Sequence, residues 1–119
     1  MSDIERIATN PRRGRVVIHN GLAFLGGQAA DDRSGDIRSQ TAQALAKADK
    51  ALAEAGSDRT RILSAQIWLK DIARDFAGMN EVWDGWMSPE HAPARATAQC
   101  EMAAPNVLVE ITMVAAVAT

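Results

Sequence analysis

A chain of 119 residues is long enough to bury one hydrophobic core but short for two, so we expect a single domain over residues 1–119. A hydrophobic share of 47% and a net charge of -2 exclude an intrinsically disordered chain and a surface that binds nucleic acid through general positive charge. No nucleic-acid partner is therefore expected.

The first regular structure along the chain is a predicted β-hairpin. Residues 4–8 suit a short edge strand. After a polar stretch, apolar runs at residues 16–19 and 22–25 flank the dipeptide Asn20-Gly21. Asparagine followed by glycine most readily supplies the two positive φ angles of a type I′ turn, so the two runs are predicted to pair as a hairpin.

A cluster of basic residues precedes this hairpin. Arg12, Arg13 and Arg15 stand together around Gly14, in a stretch that shows no strand or helix pattern. The simpler interpretation is a solvated basic loop, and contact with an anionic ligand is the alternative.

The second strand of the hairpin runs into two adjacent glycines, Gly26 and Gly27. A backbone without Cβ atoms lets another group approach closely, which is one reason to find glycine in a strand. A bulge that ends the strand is the other reason, and the sequence leaves both open.

Two amphipathic helices are predicted, and each should pack one face on a sheet. Asp36 suits the N-cap of the first helix and Gly56 suits its C-cap. Between them, apolar or small residues recur at helical spacing, at Ile37, Thr41, Ala44, Leu45, Ala48, Ala51, Leu52 and Ala55. The second helix is predicted from about residue 73 to 87, where Trp83 and Trp86 share one face and are expected in the core.

A strand is predicted between the two helices, because residues 61–70 alternate in polarity. Leu63, Ala65, Ile67 and Leu69 are predicted to share one of its faces. Asp71 is expected to end the strand.

The two strands predicted at the end of the chain carry the charged residues of greatest interest. From Arg95 to Met102 polar and apolar residues alternate, and Arg95 opens the polar face. Residues 107–115 alternate again, with Glu110 as one acid among apolar neighbours. If residues 103–106 turn between two neighbouring strands, Arg95 and Glu110 lie near each other on one side of the sheet.

Together the elements predict an α+β domain, with one mixed sheet and two helices packed on one of its faces. The other face is left with apolar side chains and no helix to cover them. The residues expected there are Leu108 and Val114 near the end of the chain, and Val16 or Val17 in the hairpin. Such a face is typical of burial against another copy of the chain, so we expect an oligomer.

The remaining polar residues favour neither a metal site nor a secreted protein. Cys100 is the single cysteine and lies on the apolar face of its strand, which favours a reducing compartment. The charged start of the chain does not resemble a signal peptide, and no apolar run is long enough to span a bilayer. His19 and His91 have no cysteine or carboxylate partners at metal-ligand spacing. We therefore expect a cytoplasmic protein without a membrane partner, a metal or a cofactor.

Several short motifs resemble one family over nearly the whole chain. Pro93-Ala94-Arg95 is followed by Val109-Glu110-Ile111, with Glu110 fifteen residues after the arginine, and Gly27-Gln28 and residues 75–81 lie upstream. This pattern resembles the Rid/YjgF family of reactive-intermediate deaminases. The resemblance implies a chorismate-mutase-like α+β subunit that assembles as a homotrimer, with its sites in the clefts between subunits.

The resemblance also implies an activity and a set of site residues. RidA-like members hydrolyse enamines or imines derived from amino acids, of the 2-iminobutanoate and 2-iminopropanoate type, to 2-oxo acids and ammonia, which is a form of metabolite damage control. By this resemblance Arg95 holds the substrate carboxylate and Glu110 handles the water. Thr97, Gly27 and Asn80 are the further substrate-binding positions that it implies.

One departure from the family pattern concerns the loop before the hairpin. RidA-like members commonly carry a tyrosine in that loop, whereas this chain has no tyrosine. The corresponding region is Arg12-Arg13-Gly14-Arg15. The substrate range of RidA itself therefore does not transfer with the resemblance.

The chemistry of Arg95 and Glu110 suits imine hydrolysis on general grounds as well. A planar guanidinium binds a carboxylate through two parallel hydrogen bonds and so orients the adjacent iminium carbon. A carboxylate beside that carbon can take a proton from attacking water and pass it to the leaving amine. The alternative is a buried ion pair between the two residues that only holds the sheet or the trimer together.

Three functions remain, in order of preference. The first is hydrolysis of enamines or imines. The second is a non-catalytic trimer whose cleft binds a small carboxylate metabolite. RNA binding or cleavage comes third, because only the basic loop at Arg12, Arg13 and Arg15 supports it.

Overall fold

The computed structural model describes residues 3–117, which form one six-stranded mixed sheet with two α-helices on one face. In chain order the elements are β1 (Glu5–Ile7), β2 (Val16–His19), β3 (Leu22–Gln28), α1 (Ile37–Glu54), β4 (Ile62–Leu69), α2 (Ile72–Trp86), β5 (Ala94–Gln99) and β6 (Val109–Ala116). Across the sheet the strand order is β1-β2-β3-β6-β4-β5, and of these pairs β4 and β5 run parallel while the others run antiparallel. The predicted α+β layering is confirmed.

The hairpin of β2 and β3 forms where the dipeptide predicts it. Asn20 has a φ of 52° and Gly21 a φ of 75°, the two positive values that a type I′ turn requires. His19 pairs with Leu22 directly across the turn. β1 pairs with β2 at the edge of the sheet, as the predicted short edge strand.

Both predicted ends of α1 are confirmed. The side chain of Asp36 accepts a hydrogen bond of 3.1 Å from the N–H of Ser39. Gly56 has a φ of 77°, and the N–H of Ser57 donates to the carbonyl of Leu52 at 2.9 Å, which closes the helix in a Schellman motif. The helix therefore ends where a residue without a Cβ atom turns the chain back toward β4.

The core lies between the sheet and the two helices. Its largest fully buried side chains are those of Leu45, Leu52, Ile67, Leu69, Met79, Ile111, Gln40, Val16, Val109 and Thr41. Trp83 is buried, as predicted, whereas Trp86 is half-buried. Within residues 3–117, neither helix combines the length and the apolar character that a membrane span requires.

The prediction that the last two strands pair with each other is wrong. β4 lies between them and pairs with β5 in parallel and with β6 antiparallel. The cause is the helix between β4 and β5, because a helical crossover returns the chain to the same end of the sheet and sets the second strand parallel to the first. β6 then occupies the other side of β4, between β4 and β3.

The predicted alternation of β4 holds over most of the strand and is wrong at its start. The buried side chains of the helix face are those of Ala65, Ile67 and Leu69. The register between β4 and β6 shifts between Ile62 and Ser64, and Leu63 is 49% exposed. A simple alternating pattern misses such an irregularity, because it assumes that every residue advances the strand by one position.

The sheet face away from the helices, called the open face below, includes Val17, Phe24, Trp68, Glu110 and Val114. Val17 and Val114 lie there as predicted, and both pair with Phe24, which is 44% exposed. Val16 lies on the helix face and is fully buried, because successive residues of a strand point to opposite faces. Leu108 was expected on the open face but packs against the core instead, just before β6 begins. Burial of the open face against another copy of the chain stays a prediction.

Candidate functional site

Arg95 stands near the start of β5, the strand at one edge of the sheet. It pairs in parallel with Ala65, whose side chain is buried under the helices, so the side chain of Arg95 leaves the sheet on the helix side. Its Nη2 donates a hydrogen bond of 2.8 Å to Oδ1 of Asn80, and its Cζ lies 5.2 Å from the ring centre of Trp83. An amide and an aromatic face of α2 therefore hold the guanidinium.

The positive charge of Arg95 is left without an acidic partner in the part of the chain that the structure describes. Among residues 3–117, no carboxylate lies within ion-pair distance of its guanidinium. Arg95 lines a surface cavity of about 370 Å³ whose other residues are Asn80, Trp83, Asp84, Ala92 and Pro93. A half-buried cation with donors to spare is suited to bind an anionic group that enters from outside.

Glu110 lies on β6 and pairs with Trp68, on the open face. Its side chain passes directly over Gly27, because a Cβ atom at Gly27 would lie 2.9 Å from Cδ of Glu110. The register between β3 and β6 also shifts between Leu25 and Gln28. Both interpretations of the glycine pair therefore hold: the strand is irregular there, and the missing Cβ admits another group.

Thr97 follows Arg95 on the same face of β5 and pairs with Ile67. Its Oγ1 is buried, and no hydrogen-bond partner for it exists among residues 3–117. The hydroxyl is therefore packed inside the subunit. If Thr97 contacts a ligand, it does so through its backbone, as the family resemblance implies.

The structure does not bring Arg95 and Glu110 together within one subunit, so that expectation is wrong. Trp68 on β4 pairs with Glu110 on one side and with Ala98 on the other. Ala98 lies three positions along β5 from Arg95. With about 4.8 Å between strands and about 3.3 Å per residue, the two Cα atoms are about 14 Å apart, and the odd offset sends their side chains to opposite faces. An ion pair between them inside one subunit is thereby excluded.

The two histidines contact polar groups other than Arg95 and Glu110. Nδ1 of His91 lies 3.1 Å from the hydroxyl of Ser88. Nδ1 of His19 lies 3.7 Å from Oδ2 of Asp3. In the part of the chain that the structure describes, no three His, Cys, Asp or Glu side chains are grouped so that they could hold a metal ion.

Trp83 is the site residue that reasoning from the sequence missed. It was assigned to the core, and it is only 5% exposed, but one face of its ring meets the guanidinium of Arg95. The signal was its spacing of three residues from Asn80, because positions i and i+3 lie on the same side of a helix.

Similarity to known proteins points to one family. The profile of the family described as Endoribonuclease L-PSP matches residues 4–117. A RutC family protein from Haemophilus ducreyi is 42% identical over 114 residues, which cover 96% of this chain and 97% of that protein. The RutC family protein YoaB of Escherichia coli is also 42% identical over 114 residues, with coverage of 96% and 98%.

Solved structures agree with the sequence matches. A member of the YjgF family from Neisseria meningitidis has the same fold, with a TM-score of 0.94 at 40% identity, and the match covers 98% of this chain and 97% of that one. Sequence and fold thus match the same group of proteins along nearly the whole length. The chain belongs to the Rid/YjgF family.

Proposed function

We propose that the protein hydrolyses reactive enamines or imines derived from amino acids, in a cleft that two subunits build together. The observation that carries this proposal is the guanidinium of Arg95, which is held by Asn80 and Trp83 and has no acidic partner among residues 3–117. Family membership supports it, because the resemblance to RidA-like members implies hydrolysis of 2-iminobutanoate- and 2-iminopropanoate-type substrates.

The proposed reaction needs little beyond two side chains. Arg95 binds the carboxylate of the imine through two charge-assisted hydrogen bonds, which positions the neighbouring C=N carbon. The oxygen of water adds to that carbon while Glu110 accepts a proton. That proton then passes to the nitrogen. The new hydroxyl group gives up its own proton to the leaving nitrogen as the C=O bond forms, the C–N bond breaks and ammonia leaves. One water molecule thus converts the imine into a 2-oxo acid and ammonia.

This reaction requires a second copy of the chain, because one subunit holds Arg95 and Glu110 on opposite faces of its sheet. The open face offers a surface for that copy, since Phe24 and Val114 lie on it and no helix covers them. A head-to-tail contact that is repeated about a three-fold axis closes into a ring. We therefore propose a homotrimer in which Arg95 of one subunit meets Glu110 and Gly27 of the next.

Mixed trimers test this arrangement. Arg95→Ala and Glu110→Gln proteins, each expected to be inactive alone, are unfolded and refolded together, and release of 2-oxo acid is followed with imines made by an amino-acid oxidase. In a ring of random composition about a quarter of the sites join an intact arginine to an intact glutamate, so about a quarter of the wild-type activity is expected. Wild-type protein taken through the same refolding is the control. A mixture that stays as inactive as its components would falsify the shared site.

Glu110→Gln alone separates catalysis from binding. The variant keeps the size of the side chain, and Arg95 still binds a carboxylate, so the affinity for a 2-oxo acid should change little. We expect kcat to fall by about 10²-fold or more, because the group that moves the proton is lost. Steady-state kinetics and a titration with 2-oxobutanoate measure the two effects.

A non-catalytic trimer that binds a small carboxylate is the alternative. Such a protein binds 2-oxo acids through Arg95 but leaves the rate of imine hydrolysis at that of water alone. The matched family is described as Endoribonuclease L-PSP, a description that names an activity of other proteins. In this chain, only the basic loop around Arg12 and Arg13 favours RNA.

A further inference from the structure

The loop between β1 and β2, which packs against the glycine pair beside Glu110, carries two arginines with no ion-pair partner among residues 3–117, and we propose that Arg12 and Arg13 select substrates with a second anionic group. The substrate class is then the imines of dicarboxylic amino acids, such as those of aspartate and glutamate. This inference rests on the proposed imine hydrolysis and adds its specificity.

The loop has a defined backbone. Oδ1 of Asn10 accepts hydrogen bonds from the N–H groups of Arg12, at 2.8 Å, and of Arg13, at 3.0 Å. The N–H of Asn10 donates to the carbonyl of Arg13 at 2.8 Å, and the N–H of Arg15 donates to the carbonyl of Ile7 at 3.0 Å. These hydrogen bonds fix the backbone of the turn, so the Cα atoms of the two arginines have defined positions.

The same loop packs against the glycine pair beside Glu110. The N–H of Gly26 donates to the carbonyl of Arg15 at 2.9 Å. A Cβ atom at Gly26 would lie 3.4 Å from the carbonyl oxygen of Gly14, and one at Gly27 would lie 2.9 Å from Cδ of Glu110. Gly26 therefore contacts the loop, and Gly27 contacts the carboxylate of Glu110.

The loop also reaches the face of the sheet that carries Glu110. A Cβ atom at Gly14 would lie 3.5 Å from Cγ2 of Val17, which belongs to the open face. Arg13 directly precedes Gly14, so its backbone lies close to that face. The loop that carries the arginines therefore lies near the face that carries the proposed catalytic acid.

Two of the three loop arginines are available to a ligand. Arg15 is not, because its Nη2 lies 2.6 Å from Oε2 of Glu54 on α1. Arg12 and Arg13 are exposed, and no carboxylate within residues 3–117 lies at ion-pair distance from either. Two free cations also offset the repulsion that Glu110 exerts on an anionic substrate.

A dicarboxylic imine matches this distribution of charge. Its 2-carboxylate binds Arg95, its imine carbon lies at Glu110, and its second carboxylate reaches the loop. Guanidinium groups suit that role, because their paired N–H donors match the two oxygens of a carboxylate. A small aliphatic imine leaves Arg12 and Arg13 without a partner.

The test compares kcat/KM for two classes of imine, made from aspartate or glutamate and from alanine or leucine with oxidases of matching specificity. The wild type is expected to prefer the dicarboxylic imines. Arg12→Gln/Arg13→Gln should lower kcat/KM for these by about 10- to 100-fold, because hydrogen bonds to a charged group are lost, and should leave the imines of alanine and leucine, which have no second carboxylate, unaffected. Lys50→Gln/Arg61→Gln removes the same charge from other exposed positions and should change neither class.

A binding measurement keeps the inference independent of turnover. Titration with 2-oxoglutarate and with 2-oxobutanoate should show weaker binding of the dicarboxylate alone in Arg12→Gln/Arg13→Gln. Equal kcat/KM for both classes in the wild type, or equal losses in the variant, overturns the specificity while imine hydrolysis stands. If no imine is hydrolysed, the proposed function fails, and the titration alone then supports or overturns a second anion site.

Discussion

The contacts of Arg95 suit the proposed binding of a carboxylate. Asn80 supplies one hydrogen-bond acceptor and Trp83 a ring face, and neither of them neutralises the guanidinium. The side chain is therefore oriented while its charge stays available. A carboxylate partner in the same position would have satisfied the charge inside the subunit and left nothing for a substrate.

Arg95→Lys tests the value of this orientation. The ammonium keeps the charge but loses the planar fork, so it cannot bind a carboxylate at two points while it also bonds Asn80. We expect kcat/KM for imines to fall by about 10- to 100-fold, with little change in the melting temperature because Arg95 is only half-buried. Steady-state kinetics and thermal unfolding measure both. Wild-type turnover in the lysine variant would show that the fork is not needed.

Gly27→Ala tests the close contact with Glu110. The new methyl group would occupy the space of the Glu110 carboxylate group, so this side chain must swing away from its position. We expect turnover to fall by about 10²-fold, as when a general base is displaced. The protein should remain folded, because the displaced carboxylate can move into solvent. Circular dichroism and the imine assay follow the two effects.

Gly85→Ala is the matched control for this substitution. Apart from its chain neighbours and the backbone of its own helix α2, no heavy atom of residues 3–117 lies within 4 Å of a Cβ atom at Gly85. Alanine should stabilise the helix by about 0.5–1 kcal/mol and leave turnover unchanged. A loss of activity in both variants would mean that the assay reports general damage rather than the contact with Glu110.

Among the elements, the buried side-chain amide of Gln40 connects α1 to the segment just before β6. Nε2 of Gln40 donates to the carbonyl of Asn106 at 3.0 Å, and Oε1 of Gln40 accepts from the N–H of Leu108 at 3.0 Å. Gln40 is fully buried, so water cannot replace these bonds. The amide therefore fixes the chain two residues before Glu110.

Gln40→Ala should remove this connection. The carbonyl of Asn106 and the N–H of Leu108 lose their partner, and the fully buried side chain of Gln40 leaves a cavity, so we expect the free energy of unfolding to fall by about 2–4 kcal/mol. Urea denaturation of the variant and the wild type gives the difference. A change below about 0.5 kcal/mol, the level typical of surface substitutions, would contradict the role given to Gln40.

The crossover from β4 through α2 to β5 places Arg95 next to Asn80 and Trp83 of α2. Because β5 adds to β4 in parallel, the same helix that makes the crossover covers the strand that carries Arg95. Asn80 and Trp83 then lie three residues apart on α2 and face the guanidinium together. The support of Arg95 is thus a property of the whole β4-α2-β5 unit.

For the whole molecule, the decisive feature is the division of charge between the two faces of the sheet. Arg95 leaves on the helix side and Glu110 on the open face, so one subunit carries the two parts of the proposed site on opposite faces. The apolar side chains of the open face give the subunit a reason to associate. Assembly and catalysis are therefore expected to depend on the same surface.

Phe24→Asp should therefore abolish both assembly and imine hydrolysis. A charge in the middle of the proposed interface costs several kcal/mol when it is buried, so we expect monomers and no imine hydrolysis. Phe76→Asp on α2 is the control, because Phe76 is 41% exposed and Phe24 is 44% exposed. Light scattering and the imine assay should find the control trimeric and active. A monomeric wild type, or an active Phe24→Asp monomer, would remove the site between subunits.

Local structure was determined by the sequence alone. The turn at Asn20-Gly21, the N-cap at Asp36 and the helix end at Gly56 all depend on a few neighbouring residues, and each formed where it was predicted. The α+β layering followed from the order of these elements. The candidate site residues come from short motifs that resemble the family.

Strand order, and with it the position of every side chain relative to the others, was decided only by the tertiary structure. The sequence pattern predicts that Arg95 and Glu110 share a face of neighbouring strands, but β4 lies between these strands and the register offset is odd. Leu63 changed sides through an irregularity in β4 that the alternation does not contain. The physical reason is that pairing and register depend on contacts between residues far apart in the chain, and a shift of one position in a strand turns each side chain to the opposite face.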